Sequence, residues 1–105
     1  MNGFRVLDSA SRRLDQIYIH TRDLWGDDQA TSCISGLFDR FNAIAERRLV
    51  WRPIPAEFGV EGYVCRYEPH YIYWKILTDG NVGIVTVLHE RMHQIERIQD
   101  DLEGA

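Results

Sequence analysis

His89, Glu90 and His93 stand in the order H-E-x-x-H within the stretch VTVLHERMHQIER, Val85 to Arg97. On one continuous helix this spacing offers two imidazoles to a zinc ion and a glutamate to a water molecule, the chemistry of a zinc hydrolase. The residues ahead of the motif argue against such a helix. Residues 82–88, VGIVTVL, are branched and alternating, as in a strand at the core of a sheet, so a helix begins at or after His89. The third ligand of the extended zinc pattern is also missing, because Glu96 and Gln99 occupy the places of its glycine and its last histidine. No metal and no other cofactor is expected.

Two further readings of the same residues remain. In the plainer one, His89 and His93 close a strand and flank a helix start, bonded to backbone or to Glu90. In the other, His89, Arg91 and His93 gather beside Arg66 and Tyr71 on a sheet face. They would then form an acid/base and phosphate-stabilising cluster for cutting RNA.

The elements that must position these groups follow from periodicity. FRVLDSA, residues 4–10, reads as a short strand that stops at Asp8 and Ser9, a helix N-cap signal. Leu14, Ile17, Tyr18, Thr21, Leu24 and Trp25 then recur at three- and four-residue steps, which predicts an amphipathic helix stopped by Gly26. A second helix carries Ala30, Cys33, Ile34, Leu37, Phe38, Phe41, Ile44 and Ala45 on one stripe and runs to about Arg47 and Arg48. Gly36 in its middle weakens it but admits a close neighbour.

LVWRPIPAEFGVEG, residues 49–62, cannot be regular helix and reads as an ordered loop pinned by Trp51, Ile54 and Phe58. YVCRYE, HYIYWKIL and NVGIVTVLH then read as three antiparallel strands, broken at Pro69 and at the hairpin signal Asp79-Gly80. Met92, Ile95, Ile98 and Leu102 predict a short C-terminal helix. The fold class is α+β, with the N-terminal strand and the helical hairpin packed on one face of an antiparallel sheet. Alternation then offers Arg66, Glu68, Tyr71, Tyr73 and Lys75, or their neighbours, to the second face, which is expected to stay open for a partner.

Size and charge narrow the function. At 105 residues the chain forms one domain, residues 1–105, and its 45% hydrophobic content is that of a folded globule. Twelve basic and sixteen acidic residues leave a net charge of -4, so the whole-chain field repels phosphate backbones and strong direct nucleic-acid binding is not expected. Residues 1–48 balance seven basic against seven acidic groups, and residues 49–105 set five basic against nine acidic ones, so the excess lies in the strand-rich half. Cys33 and Cys65, without a C-x-x-C spacing, read as reduced thiols. With neither a signal-peptide pattern nor an apolar run long enough for a membrane span, the expected location is the cytoplasm.

GLFDRFNAIAE, PIPAEFGVEGYVCRYEPHYIYWKI and GIVTVLHERMH, in that order after a helical hairpin turning at Trp25-Gly26, resemble the ParE branch of the RelE/ParE toxin superfamily, the plasmid stabilisation proteins of bacterial type II toxin–antitoxin systems. The resemblance covers nearly the whole chain. Its most specific pieces are CRYEPHYIYWK and VTVLHERM, since the family commonly ends its last strand in a similar I-L-H-x-R-M. The resemblance implies a toxin neutralised by a cognate ParD-like antitoxin in a hetero-oligomer; the partner-binding residues that alternation and charge then offer are Arg66, Glu68, Tyr71, Tyr73, Lys75 and Arg91. ParE members are associated with inhibition of DNA gyrase, whereas RelE members cut messenger RNA without a metal and are strongly basic. This chain is acidic and has a single lysine, Lys75, so an inhibitor rather than an enzyme is expected. In an endoribonuclease the candidate catalytic residues would be Arg66, His89, Arg91 and His93.

Overall fold

A computed structural model describes residues 3–67 and 69–103; Glu68 and the side chain of Leu102 lie outside the described residues. Strand β1 (Phe4–Val6) leads into helix α1 (Asp8–Trp25) and helix α2 (Asp27–Ala45). A two-residue strand β2 (Arg52–Pro53) and a 3-10 turn (Ala56–Phe58) cross to β3 (Tyr63–Tyr67), β4 (His70–Ile76), β5 (Val82–His89) and helix α3 (Gln94–Glu103). The strands form one sheet in the order β1-β5-β4-β3-β2. Strands β2 to β5 are antiparallel to their neighbours, while β1 joins β5 in parallel. Residues 7–81 lie between β1 and β5, which gives the length that a parallel crossover needs.

Hairpin α1–α2 turns on a single residue. Gly26 takes φ 94°, a backbone region closed to most side chains, and its N–H closes α1 on the carbonyl of Arg22. Ser9 does not cap α1 as its type suggests. Its hydroxyl donates to the carbonyl of Val85, and the N-terminal turn of α1 thereby covers the edge of β5 beyond the end of β1. Helix α2 stops at Ala45, two residues short of the expected arginines. Arg47 adopts φ 56° there, with the N–H groups of Arg47 and Arg48 bonded to the carbonyls of Ile44 and Ala43. The Arg47 guanidinium lies 3.7 Å from the centre of the Trp51 ring, which holds a conformation that glycine usually takes.

The hairpin face of the sheet buries Ile72, Trp74, Val82, Ile84 and Val87 against Ala10, Leu14, Leu37, Phe41 and Ile44. Gly36 sits where Tyr67 crosses α2; a Cβ at that position would lie 2.0 Å from the tyrosine hydroxyl. Loop 49–62 is held by Trp51, whose Nε1 donates to Ile44 O at 3.0 Å and whose ring meets Tyr63 and Trp74.

The second face is not open. Helix α3 and the 3-10 turn lie on it, burying Tyr73, Val85, Leu88 and Ile98 with Ile54. Amphipathic α3 buries Ile98 of its apolar stripe against the face that the hairpin leaves, and so closes it.

One irregularity decides which residues reach which face. Pairing runs His70↔His89 to Tyr73↔Thr86, then jumps to Trp74↔Ile84, so Val85 is an extra residue in β5. Without this bulge His89 would share a face with Tyr71 and Tyr73. With it, His89 turns to the hairpin face.

Candidate functional site

Arg66, Tyr71, Tyr73 and Lys75 do share the α3 face, as alternation along β3 and β4 requires. Arg66 is exposed; its Nη2 donates to Glu90 Oε2 at 2.9 Å, and its guanidinium lies 5.8 Å from the Tyr71 ring centre. Tyr71 and Lys75 are half-buried. Tyr73 lies beneath α3, 2% exposed, with its hydroxyl donating to Gln94 Oε1 at 2.7 Å. Burial first and the neighbouring Tyr71 second push its hydroxyl pKa up to about 12, so Tyr73 stays a neutral donor. It forms part of the core under α3 rather than of an open floor.

The H-E-x-x-H residues do not share a helix. His89 ends β5, Glu90 and Arg91 form a turn, and His93 precedes α3. His89 Nδ1 accepts the backbone N–H of Arg91 at 3.1 Å, while His93 is exposed. Nor does the cluster proposed for RNA cleavage assemble: His89 faces the hairpin while Arg66 and Tyr71 face the other way, for the reason of register just given. Among the described residues no group of three or more His, Cys, Asp or Glu is placed to hold a metal ion.

His89 instead meets a residue that the sequence did not single out. Its ring stands edge-on to His70, centroids 5.5 Å apart at 88°. His70 is 6% exposed, and its Nδ1 has no hydrogen-bond partner among the described residues. Burial, and next the charge of His89, pull the His70 pKa down to about 4 against the opposing pull of Glu90, so this imidazole is neutral near pH 7.

Both histidines line a groove of about 420 Å³ between the sheet and the far end of the hairpin, together with His20, Leu24 and Trp25 of α1 and Cys33 of α2. Leu24 and Trp25 belong to the predicted buried stripe, yet they are 60% and 74% exposed. Only Ser9, Ala10 and Leu14 of α1 are buried, all in its first two turns; the helix spans roughly 27 Å, and its last turns line the groove instead of the core. Cys33 and Cys65 are free thiols raised in pKa chiefly by burial, Cys65 to about 11 against the influence of Arg40, so neither is an activated nucleophile.

A second feature also escapes the sequence pattern. The Asp101 carboxylate on α3 accepts from Thr86 Oγ1 of β5 at 2.6 Å and from Arg13 Nε and Nη2 of α1 at 3.1 and 3.3 Å. One buried group thus joins β5 and α3 to α1, which lies at the other end of the sequence.

Comparison with known proteins gives this architecture a family. No curated protein matches the chain by sequence. Among solved structures, a chain of a chromosomal ParDE toxin–antitoxin system from P. aeruginosa is similar, with a TM-score of 0.68 and 17% identity over 85% of this chain and 96% of that one. At that identity the likeness is one of fold. The family described as the ParE toxin of the type II toxin–antitoxin system, parDE, matches residues 4–94, from the first residue of β1 to the first of α3. The chain belongs to the ParE toxin family of type II toxin–antitoxin systems.

Proposed function

We propose that this ParE-family chain is held inactive by a cognate ParD-like antitoxin and, when released, inhibits DNA gyrase by binding it rather than by cutting RNA. The observation that carries the reading is the family match across residues 4–94. Charge supports the choice of target class. A domain of net charge -4 with one lysine lacks the counterion-release contribution that dominates RNA affinity. The placement of His89 on the hairpin face supports it further, since an acid/base group must reach the phosphate that Arg66 would hold.

In this reading Arg66, Tyr71, Lys75 and Arg91 lie around the α3 face and its rim and meet carboxylates of a partner, and the toxin and antitoxin form a hetero-oligomer in the cytoplasm. Among the described residues no helix is long and apolar enough to cross a membrane. The test is induced expression in a bacterial host with and without the antitoxin supplied in trans. Growth arrest that the antitoxin relieves, with the two proteins co-purifying, is the expected result. Arrest that no antitoxin relieves, or failure of the two to form a complex, would remove the reading.

A further inference from the structure

We infer that the groove between the far end of hairpin α1–α2 and the His70–His89 end of the sheet is the seat of an antitoxin segment that is apolar and carries a carboxylate. This rests on the toxin–antitoxin reading and deepens it.

Three observations select the groove and its occupant. Leu24 and Trp25, 60% and 74% exposed, stand together on one wall, and large aromatic and aliphatic groups left in water at a concave surface are the usual anchors of an interface. Among the described residues the titratable lining is Arg13, His20, His70 and His89 with Cys33, without an Asp or Glu, although the chain carries sixteen acidic residues against twelve basic ones. Three of the four histidines in the chain meet here. Arg13 is already bonded to Asp101, so the imidazoles are the groups left to receive a new partner. Finally, His70 lines the groove at 6% exposure and its Nδ1 has no hydrogen-bond partner among the described residues, so no group of the fold already fixes its ring through that atom.

An imidazole N–H donates to a carboxylate oxygen in a charge-assisted bond, stronger than a bond to a neutral carbonyl. A segment with a leucine- or phenylalanine-like residue against Trp25 and an Asp or Glu turned toward the histidines satisfies both parts of the groove. Such a segment is the apolar face of an amphipathic helix, or a short extended stretch, laid in a groove. A basic or purely apolar segment leaves the imidazole donors unmatched.

The test uses the full chain co-expressed and co-purified with the product of the adjacent reading frame. Trp25→Glu and Leu24→Glu alter exposed positions and set a carboxylate against the occupant's apolar residue. Each is expected to weaken the complex at least about 100-fold by titration calorimetry, with an unchanged circular dichroism spectrum. His89→Gln is expected to weaken it about 5- to 20-fold. Hydrogen exchange on the wild-type complex is a measurement that needs no variant, and residues 17–25 and 87–89 are expected to gain protection.

A complex that forms with unchanged affinity in the Glu variants and leaves those residues unprotected overturns the groove while leaving the toxin–antitoxin reading intact. A wild-type chain that sediments alone as a dimer, and as a monomer after Trp25→Glu, overturns it in favour of a second copy. Failure to form any complex removes both.

Discussion

Thr86 on β5 and Asp101 on α3 are joined by a buried 2.6 Å hydrogen bond, and the same carboxylate takes two donors from Arg13 of α1. The cluster ties the helix on one face of the sheet to the hairpin on the other. Asp101→Ala leaves the Arg13 guanidinium, 16% exposed, without its counter-charge and the Thr86 hydroxyl without its acceptor. We expect a loss of about 2–4 kcal/mol in urea unfolding. Thr86→Val removes only one donor and should cost about 1 kcal/mol.

At Gly36 two effects oppose each other. Alanine raises helix propensity by about 1 kcal/mol, but its methyl group collides with the Tyr67 hydroxyl. Gly36→Ala should destabilise the wild-type chain by about 1 kcal/mol, because the displaced ring also loses its contact with Arg40. In a Tyr67→Phe background the same change should be neutral or stabilising. Four unfolding curves form the double-mutant cycle, and equal effects in both backgrounds would contradict the close approach.

His70 makes stability depend on pH in a defined window. Its folded pKa of about 4 lies below the unfolded value of 6.5, so between those values the unfolded chain binds the extra proton. Stability from this group is therefore full above about pH 6.5 and falls as pH drops toward 4. The loss is on the order of 2 kcal/mol after allowance for solvent screening. Unfolding curves at pH 7.5 and 5.0 should differ less in a His70→Gln variant than in the wild-type chain.

Arg66 and Glu90 form an exposed pair at 2.9 Å, and exposed pairs contribute little to folding. Arg66→Ala should shift stability by less than about 1 kcal/mol. If Arg66 also meets a carboxylate of the partner, the same variant should weaken the antitoxin complex several-fold, mainly through faster dissociation.

The periods along the chain carry most of the fold. The 3.6-residue stripes of α1 and α2, the Gly26 stop, the Asp79-Gly80 turn and the alternation that sends Arg66, Tyr71, Tyr73 and Lys75 to one face are all readable from residue types. The Val85 bulge is not, since neither Val85 nor its neighbours Ile84 and Thr86 is a proline or glycine, and the partner of its carbonyl, Ser9, lies 76 residues away. That single inserted residue moves His89 across the sheet. The same limit hides the His70–His89 contact and the Arg13–Asp101–Thr86 cluster, which join residues 15 to 88 positions apart. Exposure of Leu24 and Trp25 depends on the length of α1 against the sheet beneath it, and helical periodicity does not report that length. The closed second face is a matter of assembly: α3 is legible as a helix, but the surface it covers is not.

The proposed action of this ParE-family chain is the binding of gyrase and not the cleavage of RNA. Its most direct test is supercoiling of relaxed plasmid by purified DNA gyrase, titrated with the purified toxin, alongside a translation reaction in which ribosome-bound mRNA is followed. Loss of supercoiling, restored when antitoxin is added, with the mRNA intact, is the expected result. Undisturbed supercoiling together with cleaved mRNA would contradict it.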